Sequence, residues 1–138
     1  MSREGFLGRD KRPLGEIIDA DSSELAGLEV THQQISNRMG EILDRAMSAM
    51  GREVRISADL KAVWLDARGV VPCPWGACGR FDKGQVELTH LPSGRTLRFS
   101  PLSVHMIAEH GFFQGRGSPF RAEPADLCSI LDIQPRSG

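Results

Sequence analysis

Apolar residues recur at two different periods along the chain, and the change of period divides it into helical and extended stretches. From Ile35 they continue at Met39, Ile42, Ala46 and Ala49. Alternating steps of four and three mark one face of an α-helix. Thr31 and Gln34, just ahead, have the spacing of a capping box, and Gly51 supplies a stop. From Glu53 the period shortens. "EVRIS" and "LKAVWLDARGVV" are rich in β-branched and large apolar residues and read as strands. "QVELTHLPSGRTLRFS" reads as a hairpin, with Val86, Leu88 and His90 on one face, Leu97 and Phe99 opposite them, and "LPSG" as the turn.

Two short helices are expected after the hairpin. "SPLSVHMIAEHG" has Ser100 as N-cap, Pro101 in the first helical position and Gly111 as the stop. "PADLCSILDI" follows, opened by Glu123 or Pro124. Residues 1–28 hold Gly5, Gly8, Pro13, Gly15 and the run "DADSS" without a clear period, and read as a flexible acidic tail. Residues 29–138 then read as one α+β domain: an N-terminal helix, a small antiparallel sheet with a cysteine turn and a hairpin, and two short helices.

A hydrophobic share of 40% and a charged share of 25% place the chain among ordinary globular proteins. Three cysteines are too few for a disulfide framework. No apolar run follows a basic start, so no secretory signal is expected, and no run is long enough to span a bilayer. A cytoplasmic protein is expected, in which thiols stay reduced and a close cysteine pair serves as a metal clip.

That pair is Cys73 and Cys78, on either side of Pro74, Trp75, Gly76 and Ala77 in "VVPCPWGACGRF". Past the hairpin, His105 and His110 enclose four residues, within the range of paired histidine ligands. Positions five apart on an ideal helix differ by about 140° in direction. Gly111 is expected to let the last turn unwind so that His110 can swing back. A cysteine pair on a turn, a β-hairpin and a histidine-bearing helix resemble a Cys2His2 zinc finger over residues 73–111. The resemblance implies a zinc ion held by Cys73, Cys78, His105 and His110. Two thiolates and two imidazoles close a tetrahedron and leave no position for substrate, so such a site stabilises a fold and catalyses nothing.

Three other features bear on function. His90, on a strand ahead of the histidine helix, is similar to the activating histidine of ββα-metal (HNH) nucleases, which would make the helix histidines holders of a catalytic ion. The two metal readings exclude each other, because His105 and His110 cannot serve both ions. The loop "GFFQGRGSPFR" mixes arginines with phenylalanines, a composition that can stack on bases or anchor a loop to a core. Cys128, beside Leu127, Ile130 and Leu131, reads as a small core residue.

The net charge of -1 conceals an asymmetry. Residues 1–50 carry six basic and nine acidic side chains, whereas residues 79–121 carry six basic and three acidic. The six are Arg80, Lys83, Arg95, Arg98, Arg116 and Arg121, and they are expected to meet the phosphates of a nucleic acid. A protein partner held by residues 1–50 is the alternative, and either a monomer or a homodimer is compatible with the pattern. The expected molecule is a non-catalytic, zinc-binding, nucleic-acid-binding module.

Overall fold

The structure, a computed structural model, describes residues 12–73, 79–114, 121 and 123–133. Its elements are helices α1 (Leu14–Leu28) and α2 (His32–Ser48), strands β1 (Val54–Arg55), β2 (Leu60–Leu65), β3 (Val70–Pro72), β4 (Arg80–Asp82), β5 (Gln85–His90) and β6 (Arg95–Phe99), and helices α3 (Pro101–His110) and α4 (Pro124–Ile130). The fold is α+β. By contacts the chain divides into two units, Met39–Val104 and the combination of Met1–Arg38 with His105–Gly138, and helices α2 and α3 each contribute to both.

In the unit of residues 39–104 the strands form an antiparallel four-stranded sheet of order β1-β2-β5-β6 and a two-stranded ribbon of β3 and β4. The expected hairpin is present in its expected register, with Val86 opposite Phe99 and Leu88 opposite Leu97. Alternation decides the faces: Leu60, Ala62, Trp64, Val86, Leu88 and Phe99 are buried, while the residues between them are half-buried or exposed. The run "LKAVWLDARGVV" yields two strands rather than one, because the chain turns after Leu65 and passes through Gly69 at φ 95°. Arg45 of α2 reaches the outer edge of the sheet, donating to the carbonyls of Ile56 (3.0 Å) and Arg55 (2.9 Å).

In the other unit, residues 14–28 correct the expectation of a flexible tail. They form α1, which packs against α4 and buries Ile17, Asp21 and Leu25. Those three positions lie four apart on one helical face. A carboxylate at the centre of the stripe is what conceals the helix from a hydrophobicity pattern. The capping box ahead of α2 is formed: the Gln34 N–H donates to Thr31 Oγ1 (3.1 Å) and the Thr31 N–H to Gln34 Oε1 (2.9 Å). Phe112 and Phe113 are both buried, as are Leu127, Ile130 and Leu131.

Candidate metal centre

Strands β3 and β4 carry the cysteine turn. Val70, Val71 and Pro72 pair with Asp82, Phe81 and Arg80, and the Cys73 N–H continues the ladder to the Gly79 carbonyl at 3.4 Å. Cys73 and Gly79 therefore face each other across the mouth of the turn, and Gly79 takes φ 90°, a left-handed conformation that glycine adopts without the Cβ penalty of other residues. Cys73 is only 2% exposed. Cys78 lies outside the described residues.

Helix α3 carries the histidines. Its start is fixed by a reciprocal pair, in which the Ser103 N–H donates to Ser100 Oγ and the Ser100 N–H to Ser103 Oγ, both at 3.1 Å. Its end is fixed by Gly111 at φ 63°. The helix stays wound through His110, contrary to the expected unwinding of its last turn. Even so, the rings of His105 and His110 meet edge to face, with centroids 5.3 Å apart and planes at 79°. Side-chain torsions close the angular gap without any change in the backbone. Burial first, and then the neighbouring His105, push the His110 pKa below its ordinary value, against the opposing pull of Glu109. Both effects favour the neutral imidazole, which is the form that binds a metal.

Cys73 lies in the unit of residues 39–104 and His105 and His110 in the other, where the described residues also include one group of carboxylates, Asp21 with Glu24 and Glu123, that could hold a metal ion. Arg121 donates to both carboxylate oxygens of Asp21 and to Glu123 Oε2 (2.9 Å), so a guanidinium already neutralises the acidic group. A cysteine sulfur and two histidine nitrogens are the donor set that soft or borderline divalent ions prefer.

The remaining residues singled out in the sequence separate clearly. Arg80 and Lys83 are exposed, as is Arg95. Arg98 pairs with Glu87 on the neighbouring strand at 3.3 Å, in a partly exposed position. The Arg121 side chain is 7% exposed and committed to Asp21 and Glu123, so its place in an external cationic surface is corrected to that of an internal tie. Arg116 and Phe120 lie outside the described residues. Phe112 and Phe113 are core residues and present no stacking platform. His90 places Nδ1 2.7 Å from Ser93 Oγ, which also accepts the Arg95 N–H at 3.2 Å, so His90 is engaged in closing the hairpin turn.

The pairing of Asp21 with Arg121 is not legible in the sequence, nor are the contacts of His32, whose position in the helix reads as surface or seam. The His32 Nε2 is 3.4 Å from Ser22 Oγ, and its ring lies 5.8 Å from that of Phe113. No local pattern announces the Asp21–Arg121 or the His32–Phe113 contact, since each joins segments far apart in the chain. A scan against protein-family models found no match, and searches of curated proteins and of solved structures found no similar chain.

Proposed function

We propose that the chain is a non-catalytic binding protein stabilised by one zinc ion on Cys73, Cys78, His105 and His110. The observation that carries this reading is the ring pair of α3, whose two imidazoles converge within 5.3 Å on a helix that does not by itself align them. The donor types support it too: a cysteine thiol and histidine imidazoles are the ligands of structural zinc sites. Four such ligands bind zinc tetrahedrally and leave no open position, so the role assigned to the metal is structural. Hard ions that prefer oxygen ligands, such as magnesium and calcium, are disfavoured by the donor set.

The partner we assign is nucleic acid, met through phosphates by the exposed Arg80, Lys83 and Arg95. Arg98, shared with Glu87, makes a weaker contribution. Phosphate contacts release condensed counterions, so affinity falls linearly in log–log form with salt, by roughly one unit of slope per contact. Binding of a single-stranded oligonucleotide, followed by fluorescence anisotropy across a salt series, tests this. A steep slope that shrinks in the Arg80→Ala, Lys83→Ala, Arg95→Ala variant is expected. An affinity indifferent to salt overturns the nucleic-acid assignment while leaving the zinc site standing.

A further inference from the structure

Hydrogen-bond phase along the sheet shows which backbone groups its last strand turns outward. The Ile56 N–H bonds the Leu60 carbonyl at 2.9 Å, in the register that pairs Val54 with Ala62, so Leu60, Ala62 and Trp64 turn their backbone groups towards β1. The Leu91 N–H bonds the Asp59 carbonyl at 2.8 Å, in the register that pairs Leu60 with His90, which agrees: Lys61, Val63 and Leu65 face β5. Backbone direction alternates along an antiparallel strand. Val86, Leu88 and His90 therefore bond to β6, and their partners there are Phe99, Leu97 and Arg95. Thr96 and Arg98 are left with N–H and C=O groups directed away from the sheet. The next outward N–H, that of Ser100, is taken by Ser103 Oγ.

The two edges of the sheet are treated differently. Arg45 covers the carbonyls of Arg55 in β1 and of Ile56 just after it. Among the described residues no strand or side chain covers the outward groups of Thr96 and Arg98, and both residues are exposed. An open edge is a template for another strand. We propose that β6 pairs antiparallel with β6 of a second copy of this chain, about a two-fold axis through Leu97.

Charge and register favour a second copy as the occupant. Centred on Leu97, the pairing sets Thr96 opposite Arg98 of the other copy, and Arg98 opposite its Thr96. All four outward N–H and C=O groups on each edge are then used, as two hydrogen-bonded pairs. Leu97, half-buried in one copy, meets its own equivalent at the close, non-hydrogen-bonded position. Arg95 falls opposite Phe99. No arginine opposes another. Moving the register by two residues in one direction sets Arg98 against Arg98, and in the other direction leaves Arg98 without a partner. The edge is thus self-complementary in one register, as an isologous contact requires. The contact is far smaller than the roughly 1,600 Å² of a standard stable interface, so a weak, concentration-dependent dimer is expected. The pairing depends only on β2, β5 and β6, and not on the metal.

Sedimentation velocity of the full chain, from low concentration up to about 500 μM, tests the pairing through two substitutions at one exposed position. Thr96→Glu sets a carboxylate opposite Arg98 of the other copy in both symmetry-related pairs, and Thr96→Arg sets like charges there. Cross-strand charge pairs contribute about 0.2–1 kcal/mol each and the dimer holds two, so it should tighten roughly two- to thirtyfold in Thr96→Glu and loosen by a similar factor in Thr96→Arg. A wild-type chain that stays monomeric throughout overturns the proposal. So does a dimer that ignores both substitutions, or that both shift in the same direction, because the interface then lies elsewhere.

Discussion

Arg121 and Asp21, 100 positions apart in sequence, form a two-bond ion pair in which both side chains are nearly inaccessible, at 7% and 4% exposure. The same guanidinium donates to Glu123 and to the Gln114 carbonyl (3.0 Å), tying α1, α4 and the segment after α3. Burial alone would lower the Arg121 pKa, but the hydrogen bonds to Asp21 and Glu123 outweigh it and raise the value, so Arg121 stays charged at any working pH. Removing one member strands the other, at a cost of about 3–5 kcal/mol, whereas replacing both with apolar residues of similar size is often nearly neutral. Asp21→Asn and Arg121→Met should each lower stability by that order in urea melts. The Asp21→Leu, Arg121→Met double variant should cost less than either single change.

Gly84 supports the ring of Trp64. A Cβ on Gly84 would lie 2.9 Å from Trp64 Cε2 and closer still to Cζ2 and Cη2. Trp64 is buried in the sheet core, so the ring has little room to retreat. Gly84→Ala should therefore destabilise the chain by about 1–3 kcal/mol, the usual range for overpacking. A thermal melt that matches wild type would show that Trp64 repacks at no cost.

His32 predicts acid sensitivity. Burial lowers its pKa below 6.5, with Asp21 opposing in part. The unfolded chain therefore takes up a proton at a higher pH than the folded chain does. Stability from this residue is complete above the unfolded value and declines as pH falls below it, since the slope follows the excess of protons bound by the unfolded state. Wild type should lose more stability than His32→Gln between about pH 7.5 and about pH 5.5. Parallel losses in the two proteins would remove His32 as the cause.

Local signals carried much of the fold. The α2 capping box, the β5–β6 register, the Ser100 cap and the Gly111 stop all depend on residues a few positions apart, and all are present. Helix α1 was hidden because the middle of its buried face is Asp21, whose partner lies beyond any local window. Arg121 was misread for the same reason: an arginine in a polar loop looks solvated until its carboxylates are known. For the candidate site, spacing identified the residue types, while the convergence of His105 and His110 required side-chain geometry. An ideal helical wheel sets the two apart.

Metal content per chain, measured on protein purified without a histidine tag and paired with a melt in the presence and absence of chelator, tests the zinc site most directly. One zinc per chain is predicted, with a large drop in melting temperature on chelation and loss of the metal in Cys73→Ser and His110→Asn. Protein that carries no metal and melts identically with and without chelator would contradict the account, leaving Cys73 as a buried core thiol and the ring pair of α3 as simple packing.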